Sequence, residues 1–282
     1  MPEVCCKKRS GKKASFIMDE AAEAVYNAFS KSMVHVFMKT TGSDKITATG
    51  TGFIVSTVGH QCLVVTCRHC IVEDGEFDPA IHKLAIRLSG DARNDFEARK
   101  VFSDMDRDIA VIRFETVDAP PPPMTFAEDD NELPSVEKHI VVALGFCSPD
   151  KDEDESEDDN EDESEDDNED ESENEDGTFA YLEEVAALPG RIIMQQLEID
   201  GEGFKEVYDA DCGLINGCSG GPLVYKSKVV GVATRVDVQV ERYVTPKTVK
   251  AVFQGWLGLA PDDGRTIKQL IEDISERPDA LD

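Results

Sequence analysis

Along most of the chain apolar residues either alternate with polar ones or run unbroken for a few positions, and both patterns read as short strands. The first set spans 34–39, 46–56, 61–67, 83–89, 96–102 and 109–114, enough for one barrel-sized unit. A second set covers 139–146, 179–184, 191–199, 221–225, 229–240 and 242–245. Helical periodicity is confined to two places. Met18, Ala22, Val25 and Phe29 share one face of a helix over 18–33, and Ile267, Leu270, Ile271 and Ile274 form the stripe of a C-terminal helix.

The pattern predicts an all-β protein of two six-stranded antiparallel β-barrels sharing a cleft, with short N- and C-terminal helices and a disordered acidic loop. Residues 1–17 read as a basic flexible tail, and 18–118 as the N-terminal helix and first β-barrel. Ala119-Pro120-Pro121-Pro122-Pro123 opens a Pro-rich interbarrel linker over 119–134, stiff because proline fixes φ; an SH3-type ligand is the lesser reading. Residues 135–259 form the second β-barrel, interrupted by the disordered acidic insert at 150–177, and 260–282 are the C-terminal helix and tail.

Charge explains the insert. The chain carries −30, of which −19 lies between Asp150 and Asp176, where 20 Asp and Glu face one Lys and the octamer at 154–161 repeats at 162–169. Such a tract repels itself and has no apolar surface to bury. A solvated spacer is one reading. Basic protein partners such as histones, weak divalent-cation binding, or phosphorylation at Ser156, Ser164 and Ser172 are others. With no Gly at a turn position it is no EF-hand, and it excludes nucleic-acid binding through this loop, since phosphates are repelled. The basic run Lys7 to Lys13 reads as a solvated terminus, with nuclear import, a palmitoylated Cys5-Cys6 anchor or contact with the acidic loop as alternatives.

The N-terminus lacks an apolar signal-peptide core, and no run approaches the ~18 apolar residues of a membrane span. An intracellular protein, cytoplasmic or nuclear, with free thiols and no transmembrane segment is expected. Cys62, Cys67, His69 and Cys70 are discounted as a zinc site on spacing, for want of a second knuckle, and because strand alternation separates Cys62 from Cys67. No metal and no cofactor are expected.

The richest chemistry lies in Gly217-Cys218-Ser219-Gly220-Gly221-Pro222. Glycines let the backbone turn tightly, so that the amides of Gly217 and Ser219 can converge as an oxyanion hole beside a serine nucleophile. Gly-x-Ser-x-Gly also occurs in α/β-hydrolases, where a histidine follows the serine. Here His35, His60, His69, His82 and His139 all precede Ser219, which removes that order. His69, at the end of an apolar strand, is the favoured base, and His60 in a polar turn is the rival. Among Asp104, Asp106 and Asp108, the last abuts the apolar run 109–114 and is the favoured acid, placed to fix the histidine tautomer.

Thr66-Cys67-Arg68-His69-Cys70, Asp108-Ile109-Ala110-Val111 and Gly217-Cys218-Ser219-Gly220-Gly221-Pro222-Leu223 occur in the order of chymotrypsin-like serine proteases, which the chain resembles over roughly 33–255. Gly50-Thr51-Gly52-Phe53, Asp211, Val230-Gly231-Val232 and Tyr243-Val244-Thr245-Pro246 are most similar to the Deg/HtrA branch, although too few residues follow 255 for a PDZ domain. The resemblance implies a chymotrypsin-like double barrel and a serine endopeptidase with a His69-Asp108-Ser219 triad acting on polypeptide substrates. Substrate is expected to add as a strand along Val232, Ala233, Thr234 and Arg235, with Gly213, Leu214 and Ile215 lining a specificity pocket that has no charge at its base. That predicts small to medium apolar P1 residues. Cys218 stands where the family has Asp or Asn, so activation by a new N-terminus is not implied. Cys67, Cys70 and Cys218 are expected to make activity redox-sensitive, and a protease-fold binding or chaperone module acting through the acidic loop is the alternative function.

Overall fold

The computed structural model describes residues 12–43, 46–72, 77–91, 94–146, 185–200, 203–237 and 240–277. The acidic insert at 150–177, the predicted strand 179–184 and residues 1–11 lie outside them. In the first barrel, β1 (Met33–Thr40), β2 (Ile46–Val58), β3 (Gln61–Thr66), β4 (His82–Leu88), β5 (Asp95–Asp104) and β6 (Ile109–Glu115) close in the order β1-β2-β3-β6-β5-β4. In the second, β7 (Ile140–Phe146), β8 (Val185–Asp200), β9 (Gly203–Ala210), β10 (Pro222–Tyr225), β11 (Lys228–Asp237) and β12 (Val240–Val244) close as β10-β11-β12-β9-β8-β7. The neighbouring strands pair antiparallel, so the chain is a chymotrypsin-like double barrel.

Each unbroken apolar run serves two cores. Val34, Ile54, Val64 and Ile112 fill the first barrel, while their chain neighbours Met33, Phe53, Val65 and Val111 point outward into a seam between the barrels. Strand alternation makes this unavoidable, because successive side chains face opposite sides. The seam is completed from the second barrel by Leu144, Phe146, Val224, Val232 and Val244. Val141, Tyr208, Leu223, Val230 and Tyr243 fill that barrel's interior.

The helix α1 runs over Lys12–Phe29, so it begins inside the segment read as tail and ends before residue 33, where the β-branched and aromatic run 33–37 takes over as β1. The helices α2 (Pro246–Leu257) and α3 (Ile267–Glu276) follow the second barrel. Only α3 is visible as a stripe in the sequence. The start of α2 is marked by Thr245 at its N-cap and Pro246 at its first position, and its end by Gly258 at φ 71, the left-handed conformation that glycine adopts freely. Val249, Val252 and Phe253 of α2 pack into the seam with Leu270 and Ile274 of α3, and Trp256 stacks on Phe102 with centroids 4.7 Å apart.

β9 is the strand that pattern reading misses, and β8 starts six residues earlier than 191. Lys205, Glu206 and Asp209 make β9 look like a solvated loop. Yet Glu206 and Asp209 are only 8% and 6% exposed, because Thr245 Oγ1 donates to Glu206 and Arg242 and Gln196 donate to Asp209. The proline segment is anchored to the first barrel: Ser32 Oγ donates to the Pro122 carbonyl and Met124 N–H to Ile54. Among the described residues no helix is long and apolar enough to cross a membrane.

Candidate active site

His69 sits in a 3-10 turn, Arg68–Cys70, that begins where β3 stops. Asp108 sits in the turn between β5 and β6 at φ 53, a left-handed conformation that Asp tolerates better than most residues. The two turns lock together. Asp108 Oδ2 meets His69 Nδ1 at 2.7 Å, Oδ1 accepts the His69 main-chain N–H at 3.0 Å, and the Asp108 carbonyl accepts from Arg68 N–H at 3.2 Å. One carboxylate therefore fixes both the ring and the backbone of the histidine.

The rivals lie elsewhere. His60 Nδ1 contacts the Asp118 carbonyl, while His82 and His139 accept nearby main-chain N–H groups. His35 is buried against Phe37 and Phe146 with Nε2 on Thr49 Oγ1, and burial first, then Arg87, lowers its pKa to about 4 despite Asp95. Asp104 caps its own turn through Arg107.

Ser219 is carried by the second barrel but held by the first. The Thr51 main-chain N–H donates to the Ser219 carbonyl at 2.7 Å, Thr51 Oγ1 donates to the Gly217 carbonyl at 2.7 Å, and the same hydroxyl accepts from Phe146 N–H at 2.8 Å. Gly220, at φ 84, passes so close that a Cβ there would collide with the Thr51 carbonyl oxygen. Among the described residues the amides of Gly217 and Ser219 have no acceptor, as an oxyanion hole requires. Thr51 and Thr66, whose hydroxyl holds the Thr51 carbonyl, fall within the motifs named from the sequence, but neither of them was assigned a role there.

His69 Nε2 faces sulfur. It lies 3.5 Å from Cys67 Sγ and makes no hydrogen bond with Ser219 Oγ among the described residues. Cys67 Sγ and Cys70 Sγ are 2.9 Å apart, and Cys70 Sγ lies 3.5 Å from the Ser219 carbonyl oxygen. Burial opposes charge on His69, but hydrogen bonds to Asp108 and Cys70 outweigh it and bring its pKa up to about 10. The hydrogen bond from Cys67 lowers the Cys70 thiol against its burial, helped by His69, whereas burial raises Cys67.

Cys67-Arg68-His69-Cys70 is a Cys-x-x-Cys run, which corrects the discounting on spacing. The donor atoms of Cys67, His69 and Cys70 lie within 4.8 Å of one another. Two thiolates sharing a tetrahedral zinc, with Zn–S bonds of about 2.3 Å, stand about 3.8 Å apart. At 2.9 Å this pair is spaced for each other rather than for an ion.

The predicted substrate residues divide. Gly213 is exposed, Ile215 is half-buried, and Leu214, at 7% exposure, belongs to the second barrel's interior rather than a pocket surface. Val232 is buried in the seam, and Ala233 has its N–H committed to Gly221 and its carbonyl to Gly220. The open edge of β11 therefore begins at Thr234, the bulge residue, and continues through Arg235, whose backbone pairs with Arg242 of β12. The expectation was of no charge at the base of the pocket. Glu241 accepts the main-chain N–H groups of Cys212, Gly213 and Leu214, so a carboxylate underlies that wall.

Against known proteins, residues 50–232 match the family described as the trypsin-like peptidase domain. This chain belongs to the trypsin-like peptidase family. None of the curated proteins matches it. Solved structures share the fold: Deg5 (TM-score 0.60, 20% identity, 86% of this chain and 98% of that one covered) and the M. tuberculosis protease Rv3671c in its active form (0.55, 21%, 84% and 85%). A serine endoprotease from Yersinia pestis is similar at TM-score 0.55 and 17% identity, covering 86% of this chain and 68% of that one. Within this trypsin-like peptidase, Cys218 is fully buried in the interior of the second barrel, where Gly145 leaves it room. It therefore faces away from the Cys67–Cys70 pair, and the expectation that grouped the three is narrowed to two.

Proposed function

We propose that this peptidase-family chain is a serine endopeptidase acting on polypeptides through Ser219, His69 and Asp108. The observation that carries the reading is the double grip of Asp108 on His69, 2.7 Å to the ring and 3.0 Å to the backbone, one residue from the Cys70 thiol that touches the Ser219 carbonyl. Neutral His69 takes the Ser219 proton as the hydroxyl attacks the scissile carbonyl, and the imidazolium later gives that proton to the leaving amine. The amides of Gly217 and Ser219 receive the oxyanion, and water resolves the acyl-enzyme.

Substrate adds along β11 from Thr234, and P1 is small to medium and apolar, because both oxygens of the Glu241 carboxylate are occupied by main-chain N–H groups. A peptide-library profile dominated by cleavage after Arg would overturn the P1 assignment. A second reading, a binding module with little activity that engages basic partners, is favoured by His69 Nε2 facing Cys67 rather than Ser219. Fluorophosphonate labelling, with and without reductant, separates the two. Labelling of wild type but not of Ser219→Ala supports the peptidase, and folded protein that never labels supports the module.

A further inference from the structure

We propose that Cys67 and Cys70 form a reversible disulfide that frees the His69 imidazole, so that a peroxide-class oxidant converts a resting peptidase into a working one. The proposal rests on the assignment of His69 as general base. It extends that reading to how the base is controlled.

The geometry of the turn brings the two sulfurs together. Cys67 is the extended residue that starts the 3-10 turn and Cys70 is its third residue, so the chain folds back and sets Sγ beside Sγ. At 2.9 Å the pair needs under 1 Å of further approach to reach a disulfide bond of about 2.05 Å. Gly50 makes this possible, because a Cβ there would collide with Cys70 Sγ. The remaining described cysteines do not compete: burial pushes Cys62 up to about 11 and raises Cys212 as well, and Cys218 lies in the interior of the second barrel.

The same sulfurs hold the histidine. Nε2 must be neutral and aimed at Ser219 Oγ to act as a base, yet here it lies against Cys67 Sγ. The titratable groups facing the ring are Cys67 and Cys70 from its own turn and Asp108 from the turn before β6. A Cys70 thiolate beside His69 favours the imidazolium, which cannot accept the Ser219 proton. A disulfide carries neither a charge nor an S–H group. Forming it removes the anion and leaves Asp108 to orient a ring that can lose its proton near neutral pH.

The step balances. The Cys70 thiolate attacks a peroxide oxygen, the O–O bond breaks, and hydroxide or alkoxide leaves, giving a sulfenic acid at Cys70. The Cys67 sulfur then attacks the Cys70 sulfur, the S–O bond breaks, and water departs with the Cys67 proton. Two electrons pass from the two thiols to the peroxide, and a dithiol reductant returns two electrons and two protons. Cys67 and Cys70 have no exposed surface and lie behind the half-exposed ring of His69, which suits a small oxidant.

The test uses the full chain, fully reduced with dithiothreitol and then treated with stoichiometric hydrogen peroxide. Thiol alkylation and mass spectrometry are expected to show loss of two thiols at Cys67 and Cys70 with a mass loss of two hydrogens, reversed by dithiothreitol. Histidine-selective NMR is expected to show the His69 pKa falling by at least one unit on oxidation. The acidic limb of kcat/KM should move down with it, raising turnover at pH 7 about tenfold per unit. A Cys67→Ser, Cys70→Ser double variant should match the oxidised protein and ignore peroxide; Cys70→Ala alone, which lacks the sulfur that meets the oxidant, should also ignore it, and serves if the double variant does not fold. No disulfide, or a disulfide with an unchanged or raised His69 pKa, overturns the switch. If the disulfide and the pKa shift appear but Ser219 neither labels nor hydrolyses peptides in any state, the switch of His69 stands and the peptidase assignment fails. Hydrolysis that is indifferent to redox state overturns the switch and leaves the peptidase assignment standing.

Discussion

The main-chain N–H of Thr51, on β2 of the first barrel, reaches across the cleft to the carbonyl of Ser219 in the second at 2.7 Å. The Thr51 hydroxyl repeats the connection through Gly217 and Phe146. The loop that carries Ser219, the proposed nucleophile, is therefore a shared element of both barrels. Thr51→Val keeps the shape and removes the hydroxyl, leaving the Gly217 carbonyl and the Phe146 N–H without their partner. Each unsatisfied group costs about 1–3 kcal/mol. Thermal denaturation should show a lowered midpoint, and the fluorophosphonate labelling rate should fall by more than the loss of folded protein explains.

Asp108→Asn retains a side chain that tolerates φ 53 and an oxygen for the His69 main-chain N–H, but it presents an NH2 group to Nδ1 and removes the charge. The ring is then held in the wrong tautomer. kcat is expected to fall on the order of 10⁴-fold with little change in melting temperature. The His69 pKa should fall as well, since Asp108 is the largest influence raising it, and histidine NMR reads this directly.

His35 makes the fold acid-sensitive. In the unfolded chain it takes a proton near 6.5, whereas in the barrel wall it refuses one until about 4, so stability is lost as pH falls from about 6.5 towards 4. That amounts to about 2 kcal/mol by about pH 5. His35→Gln should show a smaller drop in urea midpoint than wild type between neutral pH and about pH 5. Equal drops in the two proteins would remove His35 as the cause.

Glu241→Gln leaves one oxygen to serve three main-chain N–H groups and turns an NH2 group toward them. A destabilisation of about 2 kcal/mol is expected, together with a raised KM for peptides, because the wall at 212–214 loses its anchor. Unchanged KM with lowered stability would place Glu241 in the scaffold alone.

Most of the first barrel was legible because its strands carry apolar residues on both faces, so Val64-Val65 and Val111-Ile112 announce themselves without any knowledge of the seam they share. His69 and Asp108 were legible for the same reason, each standing where such a run begins or ends. β9 was hidden because its carboxylates are buried with partners contributed by β8, β12 and the residues after it, and no local pattern reports a partner distant in sequence. Glu241 and Thr51 were hidden likewise: each acts on main-chain groups of another segment, and neither residue type signals that. α2 lacked a clean stripe, since its buried residues include Thr248 and Gln254 alongside Val249 and Val252. The Cys67–Cys70 spacing was present in the sequence, but its meaning depends on the turn that folds one sulfur onto the other.

The apolar seam gives the C-terminal helices a role at a distance from the cleft. Phe102 of the first barrel stacks on Trp256, and Val244 of the second shares its cluster with Phe253 and Ile271. The α2–α3 pair thus acts as a clasp, gripping both half-molecules by their outward-facing side chains. Loosening the clasp shifts one barrel relative to the other as a rigid body, and the proposed triad, with His69 and Asp108 on one barrel and Ser219 on the other, loses alignment before either barrel unravels. Remote substitutions at Trp256 or Phe102 should consequently register in turnover at temperatures where the β-sheet signal is still intact.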